Sequence, residues 1–549
     1  MNWLDDYKSK LCSADEAVKL IRSGNSVYYG GNAAIPWELV RALARRRDEL
    51  TDVRLSHVLL IGQDPLSTPD MAGHFRHNSL FVGPADREAV NDGRADYTPV
   101  FLYLIPRLFL EKIVPLDVTM VQVSPPDNHG FMSLGVEVLA SKAACQMAKT
   151  VIVQVNDKMP RILGDSFIHV GRVHAIVEHS EALPTLQAKP ATEVEKAIAG
   201  HIVKMIEPGC TMQMGIGGIP DAVYQAMEGP LDLGIHTEMI SDGAWRAIER
   251  GVVTGNRKTL HRGKVVITFA LGSEALYDYL NNNPFIEAHP SDYVNDPFII
   301  AQHHRMVSMN VARAMDLTGQ VAAEASAVTR FAGVSGIPDF VRGARRSPGG
   351  KSILMIFSTE ETPDGIRSNI LPTLDRIVVV PRGDVHYVVS EYGAVNLFGK
   401  SLQERAIAMI SIAHPDFREE LFAAAKEQGL IGSERTLGEA VKAVYPVRLE
   451  ETIEIDGQQV IIRPAKPVDE RRIQEHFYSL PKEDVFSRFF HQKTIFGRSD
   501  VESRSNVDYV HDLTLVAVVG EFGFGKVVGV AECMMLKDTN MTEVAFSIS

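Results

Sequence analysis

Residues 17–24 read AVKLIRSG, and residues 202–209 read IVKMIEPG. Val18, Lys19, Ile21 and Gly24 match Val203, Lys204, Ile206 and Gly209 at constant spacing. Outward from these octamers the likeness continues. The first copy runs through SVYYGG to Ile35-Pro36 and the helical WELVRALARRR; the second runs through TMQMGIGG to Ile219-Pro220 and DAVYQAM. The Ile-Pro pairs align with a slip of one residue. Each copy predicts helix, glycine stop, strand, glycine-rich turn, proline, helix. Ser13 and Glu16 have the spacing of a capping box, and Gly24 supplies the stop. Pro36 and Pro220 fall where a first-turn proline is tolerated. Two unrelated βα units could share this order, but a matched helix, strand and turn favour a duplicated α/β domain.

Further apolar, β-branched runs alternate with helical patterns: VIVQV (151–155), KVVITF (264–269), RIVVVP (376–381) and HYVVSEYG (386–393). Such runs predict largely parallel sheets covered by helices. The polar stretch LQAKPATE (186–193) separates the copies. The domains expected are therefore residues 1–190, residues 191–447 and a third piece, residues 448–549. The third piece starts with a short strand, VIIRP (460–464), and a polar helix, DERRIQEHFYSL. Two strands, LTLVAVVG and KVVGVAECMML, follow, joined by a hairpin turn at Gly520–Gly525, and EVAFSIS reads as another strand.

A length of 549 residues exceeds what one hydrophobic core supports, which fits two or three domains. The net charge of −13 argues against a general nucleic-acid role. The four cysteines, Cys12, Cys145, Cys210 and Cys533, form no C-x-x-C pair. They suit a reducing cytoplasm rather than a disulfide framework. The N-terminal residues carry no apolar run of the signal-peptide kind. No apolar stretch reaches the roughly 18 residues that a membrane span needs.

The turn Gly215-Ile216-Gly217-Gly218-Ile219-Pro220 follows a predicted strand and opens a helix. Glycines there let a ligand approach the main chain, and free amides at a helix start favour an anion or a developing oxyanion. The turn fits neither the dinucleotide fingerprint nor a nucleotide P-loop. Gly30-Gly31-Asn32 of the first copy reads as a wall of the same cleft. Glu238 lies in IHTEMISDG (235–243), after an apolar run. None of the 18 histidines shows a ligand spacing such as H-E-x-x-H, and His303-His304 reads as an exposed pair. No G-x-S-x-G elbow is present.

The strings QMGIGGIPDAV, GIHTEMISDG, GNRKTLHRGKVV, SDYVNDPFIIAQ, SEYGAVNLFGKSLQERA and IAHPDFRE occur in one order between Ala14 and Arg418. Together they resemble the acetyl-CoA hydrolase/transferase family, above all its 4-hydroxybutyrate and butyrate CoA-transferase branch. The resemblance implies two similar α/β domains with the active site between them. It implies that Glu238 is the nucleophile, and that Gly215, Ile216, Gly217, Gly218 and Ile219 line the CoA thioester. Asn310, Gly336 and Lys351 fall where the family has a second CoA-contacting wall. Implied substrates are acyl-CoA and short carboxylic acids, with no metal and no cofactor beyond coenzyme A as substrate. A homodimer is expected, with neither nucleic acid nor membrane as partner. One segment departs from the pattern: relatives often read GVGGQ-DF where this chain reads GVSGIPDF (333–340), which puts the acyl pocket in question.

A glutamate with the usual pKa of about 4.3 would be ionised at neutral pH and able to attack a thioester. Acyl-CoA hydrolysis could use the same glutamate. A CoA-sensing regulatory module, the third alternative, would not need it. The C-terminal piece resembles the start of a GNAT acetyltransferase domain, but Gly520–Gly525 leads into a strand rather than a helix.

Overall fold

Ser26–Tyr29 is the central strand of a seven-stranded sheet in the computed structural model, which describes residues 2–187, 189–324, 332–435, 443–536 and 541–549. The strand order is Ala175–Glu178, Thr150–Val155, Val118–Val123, Ser26–Tyr29, Val53–Val58, Phe75–Phe81, Asp96–Tyr97. Every neighbouring pair is parallel. The residues dictate this. Val118–Val123 is buried along its whole length, as a strand covered on both faces must be. Helix Trp37–Arg45 turns Leu39, Val40, Ala42 and Leu43 onto the sheet, where they meet Val27, Leu55 and Met120. Burying each large aliphatic side chain contributes about 1.5–3 kcal/mol.

The second copy repeats the device. Thr211–Met214 pairs in parallel with Gly234–Ile235 on one side and Met306–Val311 on the other. It ends in the glycine-rich turn, and helix Gly218–Ala226 follows. Both copies fall in one compact unit, made of residues 1–311, 322–353 and 376–380. The second unit comprises residues 312–321, 354–375 and 381–549.

Two local expectations need correction. The capping box of Ser13 and Glu16 is present, but the helix it opens closes in a 3-10 turn at Leu20 rather than running on to Gly24. Ile21 is extended and fully buried, and the Arg46 guanidinium takes the carbonyls of Val18 and Ile21. A side chain from another helix thus supplies the stop, and Gly24, at φ +77°, serves the turn beyond it. RIVVVP, predicted as a strand, is none: Ile377 and Val378 are 40% and 39% exposed. A β-branched run becomes a strand only where a ladder partner and a covering layer exist.

In the second unit, Tyr387–Ser390 and Gly393–Asn396 form an antiparallel hairpin, followed by helices Leu402–Ser411 and Pro415–Glu427. A five-stranded antiparallel sheet runs in chain order through Glu451–Ile455, Gln458–Pro464, Leu513–Val519, Lys526–Leu536 and Met541–Ile548. Gly520–Gly525 is the hairpin turn that its sequence predicts. Ile473, Phe477 and Val501 pack on Val516 and Val530. Among the described residues, no helix is long and apolar enough to cross a membrane.

Arg463 and Asp469 form a buried two-pronged pair, Nη1–Oδ2 2.7 Å and Nη2–Oδ1 2.8 Å. Burial opposes ionisation of Asp469, yet Arg463 holds its carboxyl down to about 2. Folding therefore gains stability from this group above its unfolded value near 3.9, and loses it as pH falls toward 2. Asp469→Asn, which leaves Arg463 unpaired, is expected to destabilise the five-stranded sheet by roughly 3 kcal/mol at pH 7. In urea melts the gap between wild type and variant should close below about pH 4; a constant gap would mean that the charge is not what the pair contributes.

Candidate active site

Glu238 is positioned by main chain on both sides. His236 N donates to Met212 O at 3.1 Å, and Thr237 Oγ1 donates to Met214 O at 3.1 Å. Glu238 therefore emerges level with Gly215, where the Thr211–Met214 strand gives way to the turn. Its own carbonyl accepts from Thr268 N and Phe269 N, both at 3.0 Å. The backbone is fixed, and the half-buried side chain alone is left to act.

The carboxyl meets two segments distant in sequence. Asn295, the C-cap of helix Ser291–Val294, donates Nδ2 to Glu238 Oε2 at 2.9 Å. The same Nδ2 lies 3.5 Å from Asp339 Oδ2, which also receives Tyr103 N at 3.4 Å. Gly336 brings bare main chain against the carboxyl. A Cβ there would stand 1.8 Å from Glu238 Oε2 and 2.5 Å from Asn295 Nδ2. Gly336 has φ −84°, so space, not conformational freedom, demands glycine.

This setting overturns the expectation of an ordinary glutamate. Burial pushes the Glu238 carboxyl up to about 7, against the pull of Asn295. Burial and the neighbouring Glu238 push Asp339 well above the usual carboxylate range.

The remaining predicted residues divide by location. Ile216, Gly217 and Gly218 line an open cleft of about 300 Å³ with Ser241, Asp242 and Leu271. Gly217 has φ +122°, a conformation other residues rarely adopt, and Gly215 has open space where a side chain would go. A Cβ on Gly218 would meet the Glu195 carboxylate at 1.9 Å. Ile219 is buried in the helix rather than in the cleft. Asn310 pairs with Gln213 through two reciprocal amide hydrogen bonds of 3.1 Å, one strand over from the turn. Lys351 lies at the other end of that strand: its ammonium is held by Glu207 at 2.7 Å and by Met205 O at 3.0 Å, both ahead of Thr211. The structure brings Glu238, Gly336 and the glycine turn together and leaves Lys351 apart.

The first copy's turn is also tightly built. A Cβ on Gly31 would stand 1.8 Å from Val58 O, and Asn32 follows at φ +49° with a buried amide that has no partner among the described residues. Glu137 bridges to Phe269, whose amide serves Glu238 O. Burial pushes the Glu137 carboxyl up to about 7, although it accepts from Ser141 Oγ at 2.5 Å.

Residue-by-residue reading missed Asn295, Asp339 and Glu137. The first two stand inside the strings SDYVNDPFIIAQ and GVSGIPDF; Glu137 is the only charge in the apolar SLGVEVLA. In the departing segment, Pro338 is absorbed in the first turn of helix Ile337–Arg346, and Ser335 takes φ +58°. His303, predicted to be exposed, is fully buried with its ring 4.6 Å from that of His236, while His304 is exposed.

The acetyl-CoA hydrolase/transferase N-terminal domain matches residues 1–186, and the C-terminal domain matches residues 272–425. The 4-hydroxybutyrate coenzyme A transferase of Clostridium kluyveri is 46% identical over 423 residues, covering 77% of this chain and 98% of that one. The butyryl-CoA:acetate CoA-transferase of Anaerostipes caccae is 39% identical over 431 residues, covering 77% and 97%. Among solved structures, RipA from Yersinia pestis superposes with a TM-score of 0.73 at 39% identity, covering 78% of this chain and 100% of that one.

A carboxyl whose pKa folding has raised binds its proton in the native state between about pH 4.5 and 7, where the unfolded chain has lost it. Wild-type stability therefore falls as pH rises through that window. Glu238→Gln does not titrate, so its melting temperature should gain on wild type between pH 4.5 and 8. The gain should correspond to about 1–3 kcal/mol, discounted for partial solvent access. Parallel melting curves across that range would place the carboxyl in water instead.

Proposed function

This chain belongs to the acetyl-CoA hydrolase/transferase family, and we propose that it moves coenzyme A between short acyl-CoA thioesters and carboxylic acids by way of Glu238. One observation carries this reading. Glu238 is a carboxyl drawn out of water, oriented by Asn295 and faced by the bare main chain of Gly336. A carboxylate so placed is a poorly solvated nucleophile held in a fixed position.

In the reaction, an ionised Glu238 oxygen attacks the acyl carbonyl. The C–S bond breaks, coenzyme A leaves as its thiolate, and a mixed anhydride remains. The thiolate then attacks the glutamyl carbonyl, releases the donor carboxylate and leaves a glutamyl-CoA thioester. The acceptor acid runs the same two steps in reverse. Each tetrahedral intermediate carries an oxyanion, for which the amides of Gly215, Gly217 and Gly218 are suited as donors. Asn295 donates to the oxygen of Glu238 and holds the carboxyl at a fixed angle. The raised pKa serves nucleophilicity, because a more basic carboxylate attacks better while still ionised in part at pH 7. Both intermediates hydrolyse readily, so transfer requires a cleft that excludes water.

Acetyl-CoA with 4-hydroxybutyrate or butyrate is the substrate pairing we propose, since the relatives carry those names. We take the working assembly to be a cytoplasmic homodimer, and the C-terminal five-stranded piece to be a GNAT-like appendage without a part in transfer. The family motifs end before it.

Incubation with acyl-CoA in the absence of acceptor, followed by borohydride, should reduce a thioester on Glu238 to an alcohol. Peptide mass spectrometry should find the change between Leu231 and Asp242. kcat/KM should rise with pH through about 7 as Glu238 ionises. An adduct on another residue, or stable turnover by Glu238→Gln, would sink the mechanism.

Gly336→Ala is expected to fold, because the flexible Glu238 side chain can yield. The displaced carboxyl should lose roughly a hundredfold in kcat, the usual result of misplacement by about 1 Å. Steady-state kinetics beside a melting curve make the check; near-normal turnover would show that close approach at Gly336 is incidental.

A further inference from the structure

Glu287 belongs to the short strand Ile286–Ala288, and His289 follows directly after it. Residues two apart on extended chain leave by the same face. Ile286 and Ala288 are fully buried on the opposite face, so Glu287 and His289 project together to the half-exposed side. The strand pairs in parallel with Val265–Ile267, and His261 comes from the loop leading into that neighbour. Three potential ligands from two adjacent segments thus converge.

Their geometry is that of a metal site. His261 Nδ1 lies 2.7 Å from Glu287 Oε2, His289 Nε2 lies 3.4 Å from the same oxygen, and all three atoms lie within 4.8 Å of one another. Bonds of about 2.0–2.2 Å from one ion to imidazole nitrogen and carboxylate oxygen put such ligands roughly 3–3.5 Å apart, so small shifts seat an ion. The far nitrogen of His261 already has a partner: Nε2 lies 2.7 Å from the Tyr293 hydroxyl. A second bond of that kind fixes the tautomer and turns Nδ1 toward an ion. The side chains of His261, Glu287 and His289 are 24%, 22% and 17% exposed, so an ion can enter and water can complete its shell.

We propose that His261, Glu287 and His289 bind one divalent transition ion of the zinc class. Two imidazoles and one carboxylate favour such an ion over magnesium or calcium, which prefer all-oxygen shells. Its role is positional. Tyr293, which partners His261, lies in helix Ser291–Val294, and that helix is capped by Asn295, the donor to Glu238. The ion would clamp the His261 loop to the strand and steady that helix. The sequence hides the site because Glu-x-His spans only three residues and the third ligand stands 26 positions upstream of Glu287.

The full chain, stripped with a chelator, is titrated with Co²⁺ and then with Zn²⁺. Wild type should take up one equivalent of Co²⁺ with visible ligand-field bands, which one equivalent of Zn²⁺ displaces and Mg²⁺ does not. Glu287→Gln and His289→Gln should each weaken binding at least tenfold, and Tyr293→Phe about tenfold. His304→Ala, an exposed histidine outside the cluster, should leave it unchanged. X-ray absorption of the zinc-loaded wild type should show two imidazoles in the shell, a readout independent of whether any variant folds. Absence of saturable Co²⁺ uptake by wild type, or uptake unaltered in both Glu287→Gln and His289→Gln, would overturn the site; the carboxylate would then simply bridge two imidazoles by hydrogen bonds.

Discussion

The contact on which the functional half of this molecule turns is that of a carboxylate pressed against main chain. Glu238 has lost much of its water, and the compensation is a single amide hydrogen bond from Asn295. A buried carboxyl with so few donors is held in an unfavourable state by everything around it. The strand end at Met214, the bridge to Thr268 and Phe269, and the helix start at Gly336 all act to keep it there. The folding free energy of the parallel sheets supports that strain, which is how reactive groups are generally maintained. A second carboxyl, Asp339, shares the Asn295 amide and is pushed well above the usual carboxylate range by burial and by Glu238 beside it.

The internal duplication gives the molecule two turns of the same kind, of which the second, at Ile216, Gly217 and Gly218, lines the open cleft. In each copy a parallel strand ends, the chain turns through glycines, and a helix begins. Ligands of open α/β sheets bind at such carboxyl ends of strands. The copies have since diverged in detail. The first turn is fitted against the carbonyl of Val58 at Gly31, while the second keeps free space at Gly215 and Gly217. A pair of equivalent loops thus differs in fit: one is closely packed and the other is open.

The sequence displayed a parallel strand at VIVQV because a strand buried on both faces is mostly apolar, as Thr150–Val155 is. It displayed the glycine turn and, through family motifs, Glu238. It misled at RIVVVP, where composition suggests a strand but Ile377 and Val378 are exposed, and at His303, whose ring is buried against that of His236. Asn295 and Asp339 could not be assigned roles from spacing. Their meaning arises only when segments around 238, 295 and 336 meet, and no local pattern encodes that meeting. The ordinary pKa assumed for Glu238 failed for the same reason, since desolvation is a property of the assembled site.

The glycines around the carboxyl are not equivalent to one another. Gly336 and Gly218 are enclosed, with Glu238 and Glu195 where a side chain would go, whereas Gly215 borders open space. Random drift of the gene is therefore filtered unevenly. Replacements at the enclosed positions collide with a carboxylate, while a Cβ at residue 215 meets nothing. Divergence in acyl-chain length among descendants of this chain would be channelled through that one permissive position. A directed-evolution library aimed at new acids should begin there rather than at the residues that hold the nucleophile.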